Sequence, residues 1–254
     1  RYTDMPDLIP DGTTAWVLVA VAAFCIGVSK AGFSGISLIS VFILADLIGA
    51  KESLGFALPM LIIADLLVYP TFRKYATWKS VWKLTWPALV GMGIGVAVLG
   101  NVDNDTMRIV IGSIILLMCL IQLVSRINPE KFFEIACTRK FGFFCGTAGG
   151  MATVLANAAG PILQIYMISR RMDKMELIGV GARFFLVINF LKLPLGAGLN
   201  LITPGSLLTN LILAPVIALG VFGGHRLIKI ISQRAFEATV ITFAFLAGVR
   251  LCFF

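Results

Sequence analysis

The sequence predicts an all-α integral membrane protein built from two inverted repeats, each a broken or short helical hairpin followed by three transmembrane helices. Three observations carry that expectation. Apolar residues make up 59% of the 254-residue chain and charged residues only 13%; several apolar stretches have membrane-crossing length; and the basic residues gather in alternate loops. At a mean hydropathy of +0.96 too little polar material remains to cover a water-facing surface, so the chain's solvent is lipid.

The elements follow in chain order. Residues 1–13 hold Asp4, Asp7 and Asp11, lack the basic start of a secretory signal, and are expected as an extracytoplasmic segment. Residues 14–48 are apolar but too long for one crossing, and Gly27, Gly32 and Gly35 interrupt them around SKAGFSG, which predicts a hairpin. Crossings of about 20 residues, the length that spans hydrocarbon, follow near 53–72, 82–99 and 106–125, completing a first repeat over 14–125. Residues 126–137 read as a cytoplasmic amphipathic connector, with Phe132 and Phe133 beside Lys131, Glu130 and Glu134, suited to the membrane surface or to another protein. A second repeat over 138–254 starts with the hairpin 138–169, interrupted by Gly142, Gly146, Gly149, Gly150 and LANAAGP. Crossings near 176–195, 206–224 and 234–253 complete it.

The loops fix the orientation. Arg73, Lys74, Lys79 and Lys83 form one basic loop; Arg126, Lys131, Arg139 and Lys140 a second; Arg170, Arg171 and Lys174 a third; Arg226, Lys229 and Arg234 a fourth. The loop NVDND at 101–105 has no basic residue, and GAGLNLITPGS at 196–206 has no charge. Under the positive-inside rule the basic loops face the cytoplasm and both termini lie outside. Residues 14–48 then start and end outside, and 138–169 start and end inside, so both must be hairpins. Five elements per half, an odd number, place the halves in opposite orientations. Weak internal similarity agrees: Lys51-Glu52-Ser53-Leu54-Gly55 is echoed by Lys174-Met175-Glu176-Leu177-Ile178-Gly179, Asp65 with Pro70 by Asn189 with Pro194, and Trp86-Pro87 by Ala214-Pro215. Transporters use such repeats, with the site between broken elements near the midplane. Trp78, Trp82 and Trp86 recur at helical spacing where a crossing leaves a basic loop, as interfacial anchors do.

Other chemistry is thin. The net charge of +8 is spread over short loops rather than one groove-lining face, which argues against nucleic acid. His225 is the single histidine, and the five cysteines have neither zinc-ligand nor disulfide-framework spacing, so no metal or cofactor is expected. No GxxxxGK[ST], HExxH, GxSxG or CxxC motif occurs, and no enzyme is expected.

The breaks are where an anion would sit, because broken helices present free N–H groups and positive dipole ends. Gly32 and Gly35 allow close backbone approach around Lys30 and Ser34 in one half; Gly149, Gly150 and Asn157-Ala158-Ala159-Gly160-Pro161 do so in the other. Ser29, Ser34, Thr147, Thr153 and Asn157 add directed donors suited to an oxyanion. The alternative is that the small residues only permit tight helix crossings. Lys30, Asp65, Arg183 and Lys192 are intramembrane charges, each costly when unpaired. Arg183 binds substrate or gates, or else pairs with Asp65; Lys192 binds substrate or snorkels to the outer surface; Asp65 carries a coupling proton or is a structural ion-pair partner. Asn189 occupies the repeat position that matches Asp65.

The residues GVSKAGFSG, AKESLGFALPMLIIAD at 50–65, LTWPALVG at 84–91, TVLANAAGPILQIYM at 153–167 and GARFFLVINFLKLPL at 181–195 together resemble the sulfite exporter TauE/SafE family of membrane permeases, over roughly Gly27 to Gly248. The resemblance implies transport, usually export, of sulfite or a small organosulfonate across a bacterial cytoplasmic membrane. It implies that Gly32, Gly35, Asn157, Gly160 and Pro161 belong to the central broken segments and that Asp65, Arg183, Asn189 and Lys192 lie on helices lining them. The leading expectation is a secondary transporter working by alternating access. The alternatives are an anion channel or uptake carrier, and a membrane scaffold that moves nothing. The expected partners are a small sulfur-containing oxyanion and membrane lipid, with a second copy of the chain as a further candidate.

Overall fold

The computed structural model describes residues 12–127, 130, 134, 138–169, 172, 174–227 and 233–253. The expected N-terminal segment, except residues 12 and 13, and most of the connector 126–137 lie outside the described residues. The described elements are helical: α1 (Thr13–Lys30), a 3-10 turn (Ser34–Ile36), α2 (Ser37–Ile48), α3 (Ala50–Phe72), a 3-10 turn (Arg73–Tyr75), α4 (Trp78–Asn101), α5 (Asn104–Ile127), α6 (Arg139–Ala156), α7 (Gly160–Ser169), α8 (Lys174–Gly198), α9 (Pro204–Leu227) and α10 (Gln233–Phe253). Each expected crossing is one continuous helix, and each expected hairpin is a pair of helices joined at its break.

Six described helices are long and apolar enough to cross a membrane: α1, α3, α4, α5, α8 and α9. The crossing expected near 234–253 coincides with α10, a single helix of 21 residues. In the first hairpin, expected to be broken or short, α1 has 18 residues and rises about 27 Å at 1.5 Å per residue, while its partner α2 has 12. The second hairpin pairs 18 residues of α6 with 10 of α7.

Local chemistry sets the ends. Thr77 and Thr138 cap α4 and α6, their hydroxyls accepting from Ser80 N and Phe141 N, which satisfies first-turn donors that hydrocarbon cannot. The first hairpin turns at Gly32, whose φ of +118° suits glycine. The second turns at Asn157 in the left-handed region, φ 51°, the non-glycine residue that tolerates it best. Pro161 in the first turn of α7 removes an N–H that has no helical acceptor in any case.

Four pairings organise the bundle: α4 with α6, α1 with α9, α5 with α10, and α3 with α8. The first two are glycine seams. A Cβ on Gly91, Gly146 or Gly150 would fall on the backbone or side chain of Thr147, Pro87 or Ala88 across α4 and α6, and one on Gly27 or Gly220 would meet Ile217 or Phe24 across α1 and α9. Backbones this close replace the hydrophobic drive that lipid removes with van der Waals contact. Exchanging each element of the first half with its counterpart in the second maps the α4–α6 pair onto α9–α1 and returns the other two pairs to themselves.

Two apolar cores form the interior. One gathers α1, α3 and α9 with Leu44 and Ile48 of α2 and Ile178 and Ala182 of α8, and Phe56, Met60 and Ile217 are fully buried in it; the other gathers α4, α5, α6 and α7 with parts of α2, α3 and α10 and the face of α8 that carries Phe184 and Ile188. At the end away from the basic loops, Asp46 of α2 binds Arg250 of α10 at 2.9 Å and Arg108 of α5 at 3.4 Å. Nearby, Asn104 donates to both oxygens of Glu52 and accepts from Lys51 N.

The seams predict a sharp positional contrast. Gly150→Ala drives a methyl group into the Ala88 carbonyl and is expected to lower stability by about 1–3 kcal/mol. Gly93→Ala, whose Cβ would meet nothing within 4 Å, is expected to change it by less than about 0.5 kcal/mol. Thermal unfolding of the two variants in detergent reads the difference, and equal losses would show that the seam is not close-packed.

Candidate functional site

Four buried or largely buried polar residues, Lys30, Asp65, Asn189 and Lys192, gather along the α3–α8 contact. Asp65 is fully buried. Its Oδ1 meets Lys30 Nζ at 2.7 Å in an ion pair, and Asn189 Nδ2 donates to its Oδ2 at 2.7 Å. Lys30 is the last residue of α1, so the first hairpin break delivers its ammonium to the middle of α3. The Phe185 ring of α8 covers the other side of that ammonium, its centroid 4.1 Å from Nζ. Asp65 and Asn189, which the sequence aligns as corresponding positions, touch each other through this hydrogen bond.

A second cluster lies further along α8. Lys192 is buried, and its ammonium donates to Thr153 O at 2.8 Å, to Thr153 Oγ1 at 3.3 Å and to Asn157 Oδ1. Three acceptors match the three donors of an ammonium, and all three are neutral. Asn157 in turn donates to Leu54 O at 3.2 Å, tying the second break to α3. Each hairpin break thus has a lysine: Lys30 from its own helix, Lys192 from α8.

The space around these groups is divided. A cavity of about 50 Å³ is lined by Ser29, Lys30, Gly32 and Asp65 together with Gly160 and residues of α7 and α8. A water needs about 10–15 Å³ on this measure, so there is room for a few waters or one small anion. A pocket of about 10 Å³, the size of one water, lies by Asn157, Ser37, Ser40 and Ser53. The hydroxyls of Ser40 and Ser53 donate to carbonyls three residues back.

The expected residues therefore separate into three groups. Lys30, Gly32, Gly160 and Asp65 share the larger cavity. Thr153, Asn157 and Lys192 form the second cluster, joined to the first through Asn189 and α8. Arg183 stands apart: its Nη2 donates to the Arg73 carbonyl at 2.6 Å and its guanidinium lies 4.7 Å from the Trp78 ring, at the basic-loop end. The expected alternative of an Arg183–Asp65 pair is not formed, because Lys30 takes that place. Lys192 does not snorkel. Gly35 is half-buried in the 3-10 turn between α1 and α2; Ser34 lies in the same turn, its side chain outside the described residues.

Phe185 was not read as a site residue, although Gly181, Phe185, Asn189 and Lys192 follow one another at spacings of four, four and three along α8. That period puts them on one stripe, and the stripe is the face that lines both clusters.

The family model described as sulfite exporter TauE/SafE matches residues 19–251. The chain belongs to the sulfite exporter TauE/SafE family. No curated protein and no solved structure matches it. The match runs from within α1 through nearly all of α10, so both hairpin breaks and both lysine clusters fall inside it. Family and fold together make the chain a multi-pass membrane protein of a sulfite and anion exporter family.

The ion pair sets a stability test. Asp65→Leu leaves the Lys30 ammonium buried without its counter-ion, and a broken buried pair costs about 3–5 kcal/mol. Adding Lys30→Met removes the orphaned charge and is expected to recover most of that loss in detergent unfolding. A double variant no more stable than Asp65→Leu alone would mean that Asp65 is held by other groups.

Proposed function

We propose that the chain is a secondary transporter that moves sulfite or a small organosulfonate anion out across a bacterial cytoplasmic membrane by alternating access, with the two halves inverted about the Asp65–Asn189 contact. The observation that carries this reading is the buried Lys192, whose ammonium is met only by neutral oxygens. Among the described residues Lys30 is offset by Asp65 while Lys192 has no carboxylate in an ion pair with it, and a negatively charged cargo supplies what hydrocarbon cannot. The basic loops face the cytoplasm in this reading, so the Lys30 cavity is reached from that side and the Lys192 cluster lies toward the outside.

The two cores are the moving bodies. The glycine seams α1–α9 and α4–α6 lie within them and stay closed, while the polar α3–α8 contact between them changes. Cargo enters beside Lys30, under the break at Gly32 and at the N-terminal end of α7 at Gly160, where the helix dipole favours negative charge. Lys192 then leaves Asn157 and Thr153 for the cargo as the cavity closes on one side and opens on the other. Arg183 braces the cytoplasmic end by holding the α3–α4 turn through the Arg73 carbonyl and Trp78, and acts as a gate there rather than as a ligand. Bonds inside the cargo are untouched.

Proteoliposome flux tests the reading. Lys192→Gln and Asn157→Ala are expected to lower flux of radiolabelled sulfite or sulfoacetate by tenfold or more, equivalent to about 1.4 kcal/mol of lost stabilisation. Unchanged flux in both variants would remove the second cluster from the transport path. Current that rises with the anion gradient without saturating would identify a channel instead.

A further inference from the structure

We infer that the cavity between α4, α6 and α7 at the basic-loop end binds one anionic phospholipid of the adjoining leaflet, with its phosphate at Lys83 and Ser80 and an acyl chain along Phe143 and Tyr166. The site is separate from the Lys30 cavity and does not depend on what the chain transports. It arises where a seam opens. Gly146 and Gly150 of α6 press on Pro87 and Ala88 of α4 so closely that a Cβ on either glycine would overlap its neighbour. One turn nearer the loops the helices part, and Gly142 and Pro87 line a half-open cavity of about 610 Å³, against about 50 Å³ beside Lys30.

One end of this cavity is cationic. Ser80, Lys83 and Pro87 follow at spacings of three and four, a single stripe of α4 that faces the cavity. Lys83 is exposed and has no ion pair with any described residue, so its ammonium is free to meet a lipid phosphate at the membrane surface. Thr77 Oγ1 stands 3.1 Å from Ser80 Oγ; with Thr77 as the donor, the Ser80 proton is left for a phosphate oxygen. Both α4 and α6 begin at this end, at Trp78 and Arg139, and the positive ends of two helices add to the lysine.

Depth and wall chemistry favour a lipid over a dissolved anion. Trp78, Trp82 and Trp86 are exposed on a different face of the same turns of α4, and tryptophans so placed sit at headgroup level. The cavity therefore lies at the depth of lipid phosphates. Its remaining wall is Phe143 of α6, Tyr166 of α7 and Met172 beyond it; Phe143 is itself exposed, so the apolar wall continues onto the membrane face. A dissolved phosphate would use the lysine and leave that wall to water, whereas a phospholipid covers both.

Native mass spectrometry of the full chain in non-ionic detergent tests the site, with titrated dioleoyl phosphatidylglycerol, phosphatidylcholine of the same chains, and glycerophosphate as the dissolved headgroup. The chain is expected to bind phosphatidylglycerol at least about tenfold more tightly than either of the others, since only that lipid meets both the cation and the wall. Lys83→Gln is expected to weaken phosphatidylglycerol by about fivefold, the worth of one lysine at an anionic headgroup, and Lys74→Gln, which removes the same charge from the 3-10 turn outside the cavity, by less than about twofold. Equal binding of the two lipids overturns the inference, because the headgroup charge is then not read. Equal losses in Lys74→Gln and Lys83→Gln overturn it in favour of lipid held loosely by the charge of the whole loop. Glycerophosphate bound as tightly as phosphatidylglycerol overturns it in favour of a dissolved-anion site.

Discussion

A carboxylate in hydrocarbon has to find a cation, and in this chain the requirement falls on Asp65. An unpaired charge at that depth is costly enough to unfold the arrangement around it, so wherever α3 settles, a cation has to come to it. Lys30 does so from the end of α1, which fixes how deep the first hairpin runs before it turns. Asn189 meets the second oxygen of the same carboxylate and so fixes the register of α8 against α3. Three helices are pinned by one side chain. The places of Gly32 and Gly160 at the cavity follow from that pinning, since each break sits a few residues from a group bound to the Asp65 centre or to Lys192.

The contacts that hold the bundle differ in kind, and the difference bears on which can move. At the α4–α6 and α1–α9 seams backbones approach through glycine, and the attraction comes from many close atomic contacts that are lost together when the helices part. At the α3–α8 contact the attraction comes from a few directed bonds between polar groups. Such bonds can be exchanged for others of similar strength, whether to a neighbouring oxygen, to water or to cargo. A two-state element needs an interface with two acceptable arrangements, which is why the proposed transport cycle assigns the change to the polar contact and not to the glycine seams.

Much of the architecture is legible in the sequence because membranes impose strong rules. Length and apolarity locate the crossings, and the alternation of basic and base-free loops forces residues 14–48 and 138–169 into hairpins before any geometry is known. Boundaries were less legible: α3 begins at Ala50 rather than near residue 53, because its first turn is held from outside by the Asn104–Glu52 tie, which pattern alone does not reveal. The polar residues of the interior were legible in the sequence and their pairing was not. Lys30, Asp65, Asn189 and Lys192 are conspicuous as polar residues in apolar surroundings, but nothing in their spacing says whether Asp65 takes Lys30 or Arg183. That depends on how far α1 descends and where the α3–α4 turn places the Arg73 carbonyl. Phe185 escaped notice because an aromatic residue in an apolar helix carries no signal until its stripe is compared with that of Asn189 and Lys192.

The Asp65–Asn189 contact bears on why Lys192 has no carboxylate partner among the described residues. Had position 189 also held an aspartate, two carboxylates would stand near Lys30 and Lys192, and their charges would balance. Two like charges in contact would also repel, since the matched side chains touch directly. Asn189 removes both problems: it donates to Asp65 where a second carboxylate could not, and it leaves Lys192 to be met by the amide and hydroxyl oxygens of the second break. The contact that makes the halves compatible is thus the same one that leaves a lysine without a counter-ion. An interior built this way is satisfied well enough to fold, through three neutral acceptors around one ammonium, and in the proposed transport cycle that ammonium is the group that turns to an anion.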